Sequence, residues 1–421
     1  MVDLEVLRGE TYPSGASCLP LSILRTMRRS ATADERDIVD IRSGDYTARI
    51  DLPATEAPAV RSALRDMVYS GATAPSHAVI VTCASDKYAI TVDGVLWAPG
   101  EIQTLCDQLV YVLMRSSLDN ESQLLHLHGG YVGLDGRGVV IAGLPRSGKS
   151  TLVTRLVEAG FEYFTDERIA VDRKLALTPF IKPISLVKGS FALLPHLDPT
   201  ITGAGCASDL LWHVPASTIG PGRIGGAVEV GMIVFVERRA DALPEISPSH
   251  PAEMARLLLS DSPDAGRFGA QAVELAANLC ASVPCVTLVY GDAEAAVDLI
   301  RRLIDAPPPT EAFEVQTFRG RTAPRHAGRP SVPLDAASVV AASAGISGVL
   351  VGGRSLLHNA ESGAIIELDE ALTVWLQLLD GSQTLGQIVD EVADANELSA
   401  NAVMDIARAM VGQLIEREVV Q

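Results

Sequence analysis

Residues 139–150 read VVIAGLPRSGKS, a short apolar run entering the loop Gly143-Leu144-Pro145-Arg146-Ser147-Gly148-Lys149-Ser150, with Thr151 opening a helix-like stretch that ends near Gly160. Glycines at both ends of such a loop let backbone N–H groups turn toward phosphate oxygens, and the helix that follows adds the positive end of its dipole. A lysine at this place reaches the outer phosphates of a nucleoside triphosphate, and the adjacent hydroxyl can ligate magnesium. Residues 143–151 therefore read as a site for ATP or GTP with Mg2+, Lys149 being the cation and Ser150 a metal ligand. The other reading is a glycine turn before a helix. With only five lysines in 421 residues, composition alone rarely places one here.

Asp166 and Glu167 close the next short apolar stretch, residues 161–164. In a parallel sheet, ligand sites gather at the C-terminal ends of strands, so a strand lying beside the loop strand would carry this acidic pair toward the phosphates. Phosphoryl transfer needs a fixed nucleotide, cations on the phosphate oxygens, and an aligned acceptor hydroxyl near a carboxylate that takes its proton. The alternative for the pair is an acidic turn between two strands. His128 stands fifteen residues before Gly143, with His126 two residues earlier on the same strand face. Such a histidine is either a satisfied structural residue or a neighbour of the transferred group. Lys182, Lys188 and Arg223, the last within GPGRIGG, could steady phosphate charge or simply be solvated.

The elements that must position these residues fall into several segments. Residues 1–122 mix alternating stretches at 46–52 and 78–83 with the hairpin-like KYAITVDGVLWAPG and a helical run over 101–115, which predicts an α+β region. In residues 123–305, HLHGGYVGL pairs with GVVIAG across Asp135-Gly136. Strands follow at 161–164, 169–171, 230–236 and 285–289, and helices at 251–259, 269–279 and 293–304, an α/β pattern. Residues 306–334 are rich in proline and carry Arg319, Arg321, Arg325 and Arg329, a solvated tether or a docking strip for acidic chain. Residues 335–421 predict a hairpin with its turn near 359–363, then helices capped by Asp369, Thr384 and Ser399, in the order of a small winged-helix module. The fold class is thus α/β and α+β, multidomain.

Composition narrows the partners. The chain is 48% hydrophobic and 20% charged with a mean hydropathy of +0.23, which suits packed cores. A net charge of −18 argues against nucleic acid and anionic membranes. From residue 330 onward there are thirteen acids against three arginines and no lysine, a net of −10, which should attract basic partners. Within the predicted winged helix, Asp390, Glu391, Asp394 and Glu397 replace the cations a duplex reader needs, so a peptide is the expected ligand. Six cysteines without a C-x-x-C pair predict neither a disulfide framework nor a zinc site, but buried small hydrophobes. The opening MVDLEVLRGETYPSG has no basic-then-apolar signal, so a cytoplasmic location is expected.

Over HLHGGYVGLDGRGVVIAGLPRSGKSTLVTRLVEAGFEYFTDERIAVD the chain resembles the catalytic core of HPr kinases and of related kinases found beside peptide natural product clusters. The resemblance rests on His128, the loop, Ala159-Gly160 and Asp166-Glu167, and continues less specifically through KPISLVKGSFALL, VGMIVFVERR and PCVTLVYGD to about residue 305. It implies Asp166 as the base and Glu167, where the family usually has a second Asp, as a magnesium partner. His128 would orient Asp166 or meet the phosphoryl group, and subunits would self-associate. The HPr kinase signature stretch has no counterpart here, so the likeness does not carry over HPr as acceptor or phosphorolysis.

Residues 345–421 resemble the PqqD family, the RiPP recognition elements, through Asn359, Gly363, Leu368-Asp369, Trp375, Leu379-Asp380-Gly381, Thr384 and Ile388-Val389. That family holds a peptide leader along a strand edge, which implies a binding surface at residues 349–357 and 403–414, with Trp375 in the core and Gly381 as a left-handed cap. Together the two resemblances imply an ATP and Mg2+ dependent kinase acting on a Ser or Thr hydroxyl of a ribosomally made precursor peptide, with other peptide-modifying enzymes as neighbours. Two alternatives stay open. One is a small-molecule or carrier-protein kinase with the tail as scaffold, the other a non-catalytic, nucleotide-switched peptide chaperone.

Overall fold

Alternation in residues 36–53 turns Val39, Ile41, Ala48, Ile50 and Leu52 to one buried face, and this alternation makes the first two strands of the chain. The computed structural model describes residues 35–71, 74–84, 87–97, 104–120, 124–226, 228–309, 313–320 and 334–420. Cys18, Arg321, Arg325, Arg329 and the first three residues of the helical run over 101–115 lie outside them. Contacts divide the chain into two units, Met1–Asn120 with Ile181–Ile219, and Glu121–Phe180 with Gly220–Gln421.

The first unit has the strands β1 (Arg36–Ser43), β2 (Tyr46–Pro53), β3 (His77–Ala84), β4 (Lys87–Val92) and β5 (Val95–Trp97), hydrogen-bonded in that order. Helix α1 (Ala57–Ala63) makes the crossover that sets β3 parallel to β2, and the other pairs are antiparallel. Helix α2 (Leu105–Asn120) completes the stretch before the second unit begins.

In the second unit, β6 (Leu125–His128) is followed by β7 (Gly130–Leu134) and β8 (Arg137–Ala142). The last two form a hairpin whose turn, Asp135-Gly136, has φ of 51° and 78°, the two left-handed residues such a turn requires. Next come α3 (Lys149–Glu158), β9 (Glu162–Thr165), β10 (Arg168–Val171) and β11 (Leu177–Pro179). The chain then returns to the first unit for a small sheet of β12 (Ile184–Val187), β13 (Cys206–Ala207) and β14 (Leu211–Val214), ordered β12-β14-β13. Back in the second unit follow β15 (Glu229–Arg238), β16 (Glu245–Pro248), α4 (Pro251–Ser260), α5 (Ala270–Ser282), β17 (Cys285–Tyr290) and α6 (Ala293–Asp305).

The principal sheet runs β16-β17-β15-β8-β7-β9, with β17, β15 and β8 parallel and the remaining pairs antiparallel. Strand β9 therefore does not lie beside β8 as the sequence suggested; β7 stands between them. Two antiparallel pairings in succession leave β9 pointing the same way as β8, so both strands end on the same side of the sheet. A smaller sheet, β11-β10-β6, carries His128 opposite Arg168. Tyr131, Phe164, Ile233 and Phe235 from the strands share a core with Met254, Ala255, Leu258 and Leu259 of α4 and with the apolar face of α5.

The C-terminal part of this unit has a four-stranded antiparallel sheet of β18 (Val315–Arg319), β19 (Ile346–Val351), β20 (Arg354–Asn359) and β21 (Ile365–Leu368), in that order, then α7 (Glu370–Leu378), α8 (Leu385–Asn396) and α9 (Ala400–Glu416). Asp369, Thr384 and Ser399 cap the three helices through their side chains, Thr384 in a capping box with Gln387. The sequence predicts one hairpin here and a linker over 306–334, but residues 315–319 of that stretch pair with β19 as β18. In place of a single hairpin, Gly352 and Gly353, at φ of 55° and 80°, make an extra tight turn that splits residues 349–357 into two strands. Trp375 joins the three-helix core, while Val349 and Leu356 enter the same core as α4 and α5. Among the described residues no helix is long and apolar enough to cross a membrane, and the five described cysteines are free, with Cys106, Cys280 and Cys285 buried, Cys206 half-buried and Cys83 exposed.

Candidate active site

The loop of residues 143–148 joins the end of β8 to the start of α3. Two glycines are required by its shape. A side chain at Gly143 would meet Ser147 Oγ at 2.5 Å and the Val236 carbonyl at 2.8 Å, and Gly148, at φ 88°, would meet the Tyr290 hydroxyl at 2.7 Å. Arg146 also takes a left-handed conformation, φ 67°, and Leu144 is exposed, so the backbone of the loop curls outward over the helix N-terminus. Tyr290, at the end of β17, donates to the Ser147 carbonyl at 3.3 Å, and burial pushes its phenol up to about 12.

Lys149 is only 7% exposed, and its ammonium donates to the loop carbonyls of Gly143 (2.7 Å) and Leu144 (3.3 Å). Burial lowers its pKa, and Asp261 and Glu167 pull the other way. Ser147 Oγ is buried without a hydrogen-bond partner among the described residues. A cation folded back onto carbonyl oxygens and an orphaned hydroxyl within a curled loop suit an anionic ligand that would draw both into hydrogen bonds. Ser150 follows Lys149 on the first turn of α3. Among the described residues no three His, Cys, Asp or Glu side chains gather to hold a metal ion. Magnesium on a nucleotide usually takes most of its ligands from phosphates and water with one or two protein oxygens, a demand that Ser150 and Glu167 are chemically suited to meet.

Asp166 and Glu167 follow β9 on the loop side of the sheet. Asp166 is 3% exposed and accepts a hydrogen bond from the Tyr163 hydroxyl at 3.1 Å. The Thr165 hydroxyl accepts from the N–H groups of Glu167 and Arg168, at 3.3 and 3.4 Å, and the Glu167 carbonyl accepts from Gly129, fixing the turn. His128 ends β6 with its side chain 34% exposed. Burial holds its pKa below the ordinary histidine value; Lys149 adds to this, and the carboxylates of Glu167, Asp261 and Asp166 oppose it. The structure thus brings His128, Lys149, Asp166 and Glu167 into one electrostatic neighbourhood.

The remaining candidates stand elsewhere. His126 is fully buried, its Nδ1 2.7 Å from Asp264 and its backbone carbonyl accepting from Ser262, so its ring is used within the fold. Arg223 pairs with Glu162, which begins β9 at the end away from Asp166. Lys182 belongs to the first unit and is fully buried, not solvated; Lys188 there is exposed. Asp261, which the sequence reading did not single out, caps the C-terminus of α4 with its Oδ2 3.8 Å from Lys149 Nζ and 3.9 Å from His128 Nε2. Its only local signal is the run SDSPD after an amphipathic helix, and nothing there points 112 residues back to Lys149.

In the C-terminal sheet, β18 covers the outer edge of β19, Val403 and Leu414 lie in the three-helix core, and the two edge strands among the described residues are β18 and β21. Most of residues 349–357 is therefore interior, whereas 403–414 buries Val403, Ala407, Val411 and Leu414 and leaves Asp405, Ile406, Arg408, Ala409 and Gln413 exposed. An open groove of about 480 Å³ runs along β21 instead, lined by Arg256, Ile365, Ile366, Glu367, Glu416 and Arg417 among others.

No protein-family model matches the chain, and comparison with curated proteins returns no similar one. Among solved structures the chain is similar to the HPr(Ser) kinase/phosphatase from Coxiella burnetii, at 15% sequence identity and a TM-score of 0.24, over 43% of this chain and 93% of that one.

Proposed function

We propose that the chain is a kinase that transfers the terminal phosphoryl group of ATP, or GTP, with Mg2+, to a Ser or Thr hydroxyl of a ribosomally made peptide. The observation that carries this reading is the pairing of a preformed phosphate loop, its Lys149 ammonium resting on loop carbonyls, with two carboxylates that follow a strand of the same sheet on the same side. In the reaction, loop N–H groups and Lys149 hold the phosphates, and Ser150 and Glu167 would hold the metal, whose chemistry is to offset charge on the phosphate oxygens. The acceptor oxygen bonds the terminal phosphorus as the bond to the bridging oxygen breaks. The diphosphate leaves with that electron pair, and the hydroxyl proton passes to Asp166.

Peptide capture is the second half of the proposal. An edge strand offers N–H and C=O groups that an extended peptide can pair with, and β21 is such a strand beside Ile365 and Ile366, with its Glu367 carbonyl already accepting from Arg417 at 3.0 Å. Holding the substrate there would raise the local concentration of its acceptor residue, so the catalytic centre could bind that residue weakly.

The test is mass spectrometry of a candidate precursor peptide after incubation with ATP and Mg2+. A gain of about 80 daltons is expected with the wild-type chain and not with Lys149→Ala or Asp166→Asn. Equal labelling by all three proteins overturns the assigned centre. Labelling that survives removal of residues 330–421 overturns the capture role and favours a kinase whose tail is a scaffold.

A further inference from the structure

Asp261 sits where elementary electrostatics disfavours it. It follows the last turn of α4, where the helix dipole presents partial negative charge, and a carboxylate there is destabilising unless cations answer it. Among the described residues its Oδ2 is buried without a hydrogen-bond partner, yet lies 3.8 Å from Lys149 Nζ and 3.9 Å from His128 Nε2. Helix α4 is in no position to relax. Met254, Ala255, Leu258 and Leu259 are buried in the principal core, His250 caps its first turn through Nδ1, and Arg256 is fastened to Glu367 at 2.8 Å. A rigid helix thus delivers a carboxylate to the gap between the loop lysine and the histidine.

We propose that Asp261 is a positioning residue of the phosphotransfer centre, setting the directions of the Lys149 ammonium and the His128 imidazole toward the transferred group. The assignment rests on the kinase reading above. In this role Asp261 neither touches the nucleotide nor receives the acceptor proton. It stands between two side chains it can direct together, Lys149, which also donates to the loop carbonyls, and His128, whose side chain is 34% exposed. A carboxylate at the wrong end of a helix is the kind of local conflict that folds keep at working sites.

The experiment uses the full chain with MgATP and water as acceptor, so that no peptide has to be known, and reads kcat and KM for ADP release together with thermal melting. Asp261→Asn keeps the shape and removes the charge. It is expected to lower kcat by roughly 3- to 100-fold with KM for MgATP changed much less, and Asp261→Glu is expected to recover part of the loss. Asp261→Asn combined with His128→Gln should cost less than the product of the two single losses, because each removes what the other acts through. If Asp261→Asn melts early, Asp261→Glu and its cycle with His128→Gln carry the same test. Wild-type kcat in Asp261→Asn, or strictly multiplicative losses in the cycle, overturns the assignment and leaves the kinase reading standing. Absence of ATP turnover in the wild type, with no nucleotide bound in calorimetry, sinks the kinase reading itself.

Discussion

Two buried lysines, one in each unit, are held in opposite ways. Lys182 in the first unit has no exposed surface and donates to the Pro183 carbonyl at 3.2 Å and to Ser185 Oγ at 2.9 Å. Ser185 in turn faces His213 Nδ1 at 3.2 Å, and His213 Nε2 faces Asp107 at 2.7 Å. The series runs from ammonium to carboxylate: the lysine donates to the serine, and the imidazole stands between the serine hydroxyl at Nδ1 and the carboxylate at Nε2. Lys149 in the second unit has backbone carbonyls for acceptors, a carboxylate 3.8 Å away, and an orphaned serine hydroxyl in its loop. Burying an ammonium is costly in both places. The first network meets that cost with a continuous series of hydrogen bonds, which rigidifies the fold; the second leaves Ser147 Oγ without a partner among the described residues and sets the ammonium on backbone carbonyls.

The comparison breaks most visibly at Lys149. Lys149→Ala is expected to lower phosphoryl transfer by about 100-fold or more while the urea midpoint stays near that of the wild type, since removing a charge-stabilising group costs rate and its burial was never favourable. Lys182→Met, similar in length and apolar, should do the reverse to stability. It strips a donor from the series and is expected to cost about 2–3 kcal/mol in urea unfolding. A Lys149→Ala chain that melts early, or a Lys182→Met chain as stable as wild type, would remove the distinction between the two sites.

Asp107 sharpens the same contrast through pH. Burial pushes its carboxyl up, but the hydrogen bond and charge of His213, with Thr104, outweigh burial and hold the pKa below its ordinary 3.8. A carboxyl whose folded pKa is depressed adds stability above its unfolded pKa and loses it as pH falls through the folded value. Wild type should therefore lose stability below about pH 4 in part through this group. Asp107→Asn should be less stable by roughly 1–3 kcal/mol at pH 7, with the difference shrinking toward pH 2 in urea titrations. A difference that stays constant over that range would assign the effect to packing.

What the sequence disclosed follows from how far apart the determinants lie. The loop of residues 143–150 was readable because its glycines, lysine and serine fall within eight consecutive residues, and the caps at Asp369, Thr384 and Ser399 because a cap acts on N–H groups two or three residues away. The strands and helices expected between 229 and 305 carry strong periodicity and lie within three residues of their expected limits, while β16, short and mostly exposed, gave no such signal. Sheet order was less accessible. Nothing within β9 says that β7 intervenes before β8, since pairing is decided by long-range burial and not by the strand's own pattern. Asp261 stayed hidden for the same reason: its meaning comes from a histidine 133 residues earlier and a lysine 112 residues earlier. The Gly352-Gly353 turn is by contrast a local signal, two adjacent glycines that divide residues 349–357 between β19 and β20.

The smallest expected effect lies at the rim of the loop. Tyr290 reaches from the end of β17 to the Ser147 carbonyl at 3.3 Å, and this is the only tie of its hydroxyl among the described residues. Unlike Asp107, it joins no series, so removing it strands one carbonyl acceptor in a loop whose curl is already enforced by Gly143 and Gly148. Tyr290→Phe should weaken MgATP binding by about 0.5–1.5 kcal/mol, a loss of roughly 2- to 12-fold in calorimetric Kd, without lowering the melting point by more than about 3 °C. The sign matters more than the size. If the loop were held as a closed network, as around Lys182, loss of this bond would lower stability and leave affinity alone; a loop kept open for a ligand should show the loss in binding.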